Sequence, residues 1–360
     1  MQYGMFKKEK STDWKWYLKD LEKVSKNGLK VFSCFACGGG SSMGYKLAGC
    51  EVLGCNEIDK SVNQIYVKNL KPKYNFCEDI RDFNKREDLP KELYELDILD
   101  GSPPCSTFSM AGQREKSWGV KKKFREGQTK QILDDLLFVF VETVDNLKPK
   151  VAIMENVEGL IFGSSWQYVQ QIYKRFNEIG YKVKHWLLKA EIMGVPQTRH
   201  RVFFIATRLD FDLSKIDMGF DYEEITFKTL KSLKGLPLSD KRLKTKILID
   251  NAKYGDYDLS SSSIRLYNKN SFFNSKLLYD DKVVPTLRAG VADYYRFGKH
   301  EQITQEEIIN ISTFPQNYNF GSNALSNVCF ICGMSVPPIM IKRIVIRLIE
   351  SQIFSSEVKL

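Results

Sequence analysis

Residues 29–59, LKVFSCFACGGGSSMGYKLAGCEVLGCNEID, carry the pattern that decides the fold. An apolar run over 29–35 reads as a buried strand, a glycine-rich turn follows, a helix runs to Ala48, and a second strand covers 51–56. The same alternation continues with a helix over 60–70 and a strand over 97–100. Leu133, Leu136, Leu137, Phe140 and Val144 then recur at helical spacing, and a buried strand over 151–154 ends at Glu155. A helix over 166–179 and strands near 181–188 and over 202–207 complete a unit of ordinary domain size. Strands alternating with helices predict an α/β fold with a doubly wound, mostly parallel sheet.

Composition narrows the partners. The chain has 360 residues, with 54 Lys+Arg against 44 Asp+Glu, a formal charge of +10 that favours a polyanion. The eight cysteines show no framework spacing and the opening residues do not read as a secretory signal, so a reducing cytoplasm is expected. The pairs Cys34/Cys37 and Cys329/Cys332 have zinc-like spacing. Their neighbours are apolar, however, and the chain holds three His, so no metal is expected. No stretch approaches the roughly 18 uninterrupted apolar residues of a membrane span.

Three places carry chemistry. Leu96-Asp97-Ile98-Leu99-Asp100-Gly101 followed by Ser102-Pro103-Pro104-Cys105 reads as a buried strand feeding a rigid loop, because consecutive prolines fix the backbone and remove two N–H donors. Such a loop presents Cys105 in a set direction and suits a nucleophile; a core cysteine is the plain alternative. The turn at 35–44 lets backbone approach a ligand closely. Glu57, ending the next strand, is placed to bind ribose hydroxyls, and Asp79 to accept from an adenine amino group. Glu155-Asn156 presents a carboxylate and an amide at the sheet edge, where a buried Glu can donate a proton or merely cap a helix. Arg199 and Arg201 flank His200 just before an apolar strand, and one guanidinium could hold a carbonyl or carboxylate.

In order and spacing, FACGGGSSMGYKLAG, CNEID, GSPPCSTFSMAGQRE, KPKVAIMENVEGL, GVPQTRHRVFFIA and the late GMSVPP resemble the DNA cytosine-5 methyltransferases. The resemblance runs from about residue 31 to 348. It implies an S-adenosylmethionine-dependent, Rossmann-like catalytic domain with a smaller target-recognition domain, and flipping of a cytosine out of double-stranded DNA. By matching motifs, Cys105 would attack carbon-6 of cytosine, Glu155 would protonate or hydrogen-bond ring nitrogen-3, Arg201 would hold the base carbonyl and orient Glu155, and Arg199 would support them. The implied donor is S-adenosyl-L-methionine. Phe35 and Gly40 would lie at the turn, Glu57 on the ribose, Asp79 near adenine, and Ile58 and Ile80 flanking that ring. Pro104, Leu136, Ser335 and Val336 would complete the pocket.

Residues 1–28, where Trp14, Trp16, Tyr17, Leu18 and Leu21 suggest a short amphipathic helix packing on the main body, are expected to be an N-terminal extension. Apolar periodicity weakens after Arg208, and a catalytic domain of 29–207 plus 330–360 with a recognition domain of 208–329 is expected. The tail, 336–352, is expected to be an apolar helix packing back on the catalytic domain. DNA would lie between the two domains. Lys228, Lys231, Lys234, Lys241, Arg242, Lys244 and Lys246 could track phosphates, though a solvated surface reads equally well. Residues 106–130, with a basic cluster at 121–125, suit a loop closing over DNA. Monomeric action, a bacterial or phage-infected cytoplasm and a cognate restriction endonuclease go with the family. Two positions depart from its pattern: Cys37 where Gly is usual, and Met334 where Asn is usual. A DNA-binding protein without activity and a tRNA cytosine-5 methyltransferase are the alternatives, the first opposed by the joint presence of Cys105, Glu155 and Arg201.

Overall fold

The computed structural model describes residues 8–104, 135–290 and 293–354. Cys105 and the expected closing loop at 106–130 lie outside the described residues. In chain order the first elements are β1 (Lys30–Cys34), α1 (Gly40–Leu47), β2 (Glu51–Asn56), α2 (Lys60–Leu70), β3 (Tyr74–Phe76), α3 (Ile80–Phe83) and β4 (Ile98–Gly101). They are followed by α4 (Leu136–Leu147), β5 (Val151–Val157), α5 (Trp166–Glu178), β6 (Lys182–Lys189), β7 (Gln197–Thr198) and β8 (His200–Thr207). The expected strands and helices stand within a few residues of these bounds.

Contacts divide the chain into two compact units. One comprises Lys19–Lys189, His200–Gly219 and Ile341–Leu360; the other comprises Met1–Leu18, Ala190–Arg199 and Phe220–Met340. The division expected from sequence follows the change of residue character after Arg208, whereas these units follow packing.

The first unit is built on a seven-stranded sheet of order β3-β2-β1-β4-β5-β8-β6. All neighbours from β3 to β5 pair parallel. β8 alone runs antiparallel, to both β5 and β6. β6 returns to β8 without a crossover helix, and a parallel return would need one. β4 is buried throughout and β5 at all but its last residue, as expected of central strands covered on both faces. Phe32, Leu99, Phe140, Ile172, Phe176 and Phe204 belong to the resulting core. A Cβ at Gly101 would come within 2.3 Å of Phe140, so glycine there lets α4 lie directly on the end of β4. The strand order reverses between β1 and β4, and in open α/β sheets the carboxyl ends of such a pair form the ligand crevice.

The second unit adds α6 (Phe227–Leu230), β9 (Leu236–Pro237), α7 (Leu243–Asp250), α8 (Ser260–Tyr267), β10 (Lys276–Leu278), β11 (Val284–Pro285), β12 (Tyr294–Arg296), β13 (Glu301–Gln302), α9 (Gln305–Ile311) and α10 (Leu325–Met334). Its four-stranded sheet has the order β10-β12-β13-β9, and β11 pairs with β7. Leu248, Leu259, Leu277 and Tyr295 are among its core residues. Short strands and brief helices explain why apolar periodicity fades there in the sequence. α11 (Pro338–Glu350) ends the described chain. The stretch Leu325–Glu350 reaches a hydropathy of 1.6, yet 72% of that window is buried inside the protein, as in packed core helices.

The N-terminal residues differ from the expected amphipathic helix over 14–21. A 3-10 helix forms at Leu18–Lys23, and the described residues before it, which include a turn near 13–15, belong to the second unit. The Trp16 indole, 5% exposed, donates to the Thr313 carbonyl at 2.9 Å, while the Trp16 carbonyl accepts from the Gln316 amide at 2.8 Å. These residues are part of the unit's core. Trp16→Ala is therefore expected to destabilise the protein by about 3–5 kcal/mol, read as a lowered urea midpoint at unchanged slope. A variant within about 0.5 kcal/mol of the parent would show the segment to be dispensable.

Candidate active site

The site grows from the carboxyl ends of β1, β2, β4 and β5. Beyond β1 the chain turns left-handed at Phe35 (φ 54°) and Cys37 (φ 47°), then at Gly39 (φ 77°), before α1 begins at the buried Gly40. A Cβ at Gly39 would also meet Leu70 at 2.4 Å, so both conformation and space demand glycine. Cys37 holds a conformation that costs a side-chain-bearing residue roughly 1–2 kcal/mol, which is a physical reason for glycine being usual there.

Glu57 fixes this turn. One of its oxygens accepts the Cys37 amide and the other the Asp59 amide, each at 2.8 Å. Each oxygen keeps lone-pair capacity for a further donor such as a ribose hydroxyl. Burial pushes the Glu57 carboxyl up, and the Asp59 and Cys37 amides oppose that shift. Ile58 beside it is 37% exposed. Asp79 caps α3 through the Arg81 amide at 2.8 Å and pairs with the Arg81 guanidinium at 3.2 Å, while Ile80 is 3% exposed and packed in the core. Leu136, the first residue of α4, is likewise buried.

At the other end of the crevice, Asn156 ties down the approach to Cys105. Its side-chain amide donates to the Pro103 carbonyl at 3.1 Å, and its carbonyl oxygen accepts the Val157 amide at 2.9 Å. Pro104 is the last described residue before the cysteine. Glu155, 8% exposed, meets the Arg201 guanidinium at 2.9 Å. The antiparallel register makes this contact: Val157 lies opposite Arg201 and Glu155 opposite Phe203, so Glu155 and Arg201 share one face. A second rung joins His200 to Glu158 at 3.2 Å. The structure thus brings Glu155, Arg201 and the Pro103 carbonyl to one edge of the sheet.

Arg199, Ser335 and Val336 belong to the other unit. The Arg199 guanidinium is buried and donates to the backbone carbonyls of Gly333 at 3.1 Å and Leu287 at 3.5 Å. Ser335 Oγ is buried with no hydrogen-bond partner among the described residues, and Val336 is 3% exposed. A Glu57 with spare acceptor capacity fits a ligand that donates hydroxyl groups, as a nucleoside cofactor does. Among the described residues no group of three His, Cys, Asp or Glu could hold a metal ion.

Asp100 escaped the sequence reading. It sits inside an apolar run and reads as a strand residue; its signal is a charge where a central parallel strand should be apolar. The carboxylate, 1% exposed, accepts from Ser33 Oγ at 2.7 Å and Tyr45 OH at 3.0 Å. Burial pushes it up to about 7; the hydroxyls oppose this, and the Glu155 charge adds to it. A carboxyl that binds its proton more tightly when folded stabilises the fold fully below its unfolded value near 4, and that stability is lost as pH rises through about 7. Wild type is expected to lose on the order of 3 kcal/mol against Asp100→Asn between about pH 4 and pH 8, measured by urea unfolding. Parallel pH profiles for the two proteins would refute this.

The C-5 cytosine-specific DNA methylase model matches residues 29–350. Type II methyltransferase M.FnuDI of Fusobacterium nucleatum is 29% identical over 92% of this chain and 98% of its own length. M.NgoPII of Neisseria gonorrhoeae, also a type II methyltransferase, is 27% identical over 86% and 92%. In fold, the chain is similar to a Spodoptera frugiperda DNMT2 mutant, with a TM-score of 0.62 at 15% identity over 89% of this chain and all of that one. Together with the crevice geometry, the match over residues 29–350 places the chain in the family of C-5 cytosine-specific DNA methylases.

Proposed function

We propose that this DNA cytosine-5 methyltransferase methylates a cytosine within one specific double-stranded sequence, through a transient bond between Cys105 and a flipped-out base. The observation that carries this reading is the joint placement of Glu155, Arg201 and the Asn156-tethered Pro103 at one sheet edge. The Cys105 thiolate adds to carbon-6, and the displaced π pair makes carbon-5 nucleophilic. Glu155 holds a proton or hydrogen bond at ring nitrogen-3, where charge accumulates, and Arg201 keeps the Glu155 carboxyl aimed and binds the base carbonyl. Arg199 would act as a support by fastening the backbone at Leu287 and Gly333. After transfer, loss of the carbon-5 proton restores the double bond and expels the thiolate.

S-adenosyl-L-methionine, the donor of this methyltransferase family, supplies an electrophilic methyl group when bound. The turn at Phe35 and Gly40 would receive it, with Glu57 on the ribose, Asp79 toward adenine, Ile58 and Ile80 near the ring, and Pro104, Leu136, Ser335 and Val336 around the remainder. The basic residues between Lys228 and Lys246 suit DNA phosphates, and the unit that carries them would read the target bases. One protomer carries every proposed catalytic side chain, so a monomer suffices. The designation of the relatives as type II methyltransferases supports a role beside a restriction endonuclease of the same specificity. A thiolate nucleophile and a DNA substrate both suit the cytoplasm.

Bisulfite sequencing of plasmid DNA from cells expressing the chain is expected to show methylated cytosines in one recurring sequence. Cys105→Ala should abolish the signal, and Glu155→Gln should lower the rate by about 10²–10⁴-fold. Tight binding to one duplex without methylation would favour a non-catalytic binder, and methylated tRNA with unmodified DNA would favour an RNA substrate.

A further inference from the structure

Asp100 is costly to keep. A buried carboxylate without a cation is usually less stable than an apolar residue of similar size, and among the described residues no ion pair involves Asp100. Its hydrogen bonds explain what it contributes. Ser33 belongs to β1, Tyr45 to α1 and Asp100 to β4, so a single carboxylate joins the strand entering the glycine turn, the helix leaving it, and the strand leading to Ser102-Pro103-Pro104. On the opposite face of β4, Phe140 covers Gly101, so the strand end is held from both sides.

We propose that Asp100 is a positioning residue for methyl transfer: by accepting from Ser33 and Tyr45 it holds the glycine-rich turn in fixed register with the strand that leads to Cys105. This rests on the reading of that turn as the donor site. The ionised carboxylate accepts both hydroxyls in charge-assisted hydrogen bonds; the protonated form keeps acceptor sites for them but holds each more weakly. The titratable groups facing it are Tyr45 on α1, Cys34 on β1 and Glu155 on β5, the last already paired with Arg201. Tyr45 and Cys34 are both pushed well up by burial and then by the Asp100 charge, so neither ionises before Asp100 does. Donor affinity should accordingly strengthen as pH rises through about 7.

The test is calorimetric titration of the full chain with S-adenosyl-L-methionine between about pH 5.5 and pH 8.5. Wild type is expected to tighten about five- to tenfold across that range. Asp100→Asn, fixed in a protonated-like pattern of one acceptor and one donor group, should bind at the acid-side affinity throughout. Tyr45→Phe and Ser33→Ala, each lacking one hydroxyl, should bind about two- to fivefold more weakly with a shallower pH course, and they carry the test should Asp100→Asn fail to fold. The proposal is overturned if the variants keep wild-type affinity and pH course, or lose thermal stability alone. Glu57→Ala separates the two levels: loss of binding there with unchanged Asp100→Asn rejects only the positioning role, whereas wild-type affinity in Glu57→Ala rejects the donor-site reading as well.

Discussion

The parallel pairing of β1 with β4 is the constraint on which the rest of the catalytic crevice hangs. It sets Ser33 beside Asp100 and Cys34 beside Gly101, so the two strands end level with one another. From those ends depart the two irregular segments that matter most, the left-handed turn at Phe35–Gly39 and the proline loop at Ser102–Pro104. Because strand order reverses between β1 and β4, no crossover helix covers their ends, and backbone amides, glycines and carboxylates can face a ligand there. Shifting this register by one residue would turn Asp100 to the α4 side and bring Gly101 away from Phe140, replacing a close fit with an overlap.

A second constraint lies two strands away. The antiparallel return of β8 along β5 lets a residue at the start of one strand meet a residue near the end of the other, which a parallel neighbour would place at opposite edges of the sheet. Arg201 reaches Glu155 for this reason, and His200 reaches Glu158. Both pairs are short, and Glu155 and Arg201 are largely shielded from water. Removing one member would leave a buried charge without its partner, which is far more damaging than losing an exposed salt bridge.

The large-sheet unit was legible because its strands are continuous apolar runs punctuated by Gly, Pro and Asn. β2 and α2 stand at the expected residues. Residues whose chemistry is presented by a strand end, such as Glu57 and Glu155, could be picked out for the same reason. What stayed hidden depends on contacts between distant segments. Nothing local to Leu99-Asp100-Gly101 announces two hydroxyls from β1 and α1, and nothing near Trp16 announces the Thr313 carbonyl nearly three hundred residues later. The direction of β8 was also invisible, since an apolar strand reads alike in either orientation. The small-sheet unit was the least legible: with strands of two or three residues, neither the period of two nor that of 3.6 has room to repeat.

The way the chain is threaded limits how such a protein can be altered. It passes from one unit to the other after Leu18, Lys189, Arg199, Gly219 and Met340, and the excursion Ala190–Arg199 sits between two strands of one sheet. Neither unit is therefore a cassette. An attempt to graft a new specificity by exchanging a single contiguous block would either carry off part of the other unit or leave behind part of its own. Change should be tolerated instead in short surface stretches inside Phe220–Met340, leaving every junction in place, so diversification by point substitution and loop replacement is the route this topology leaves open.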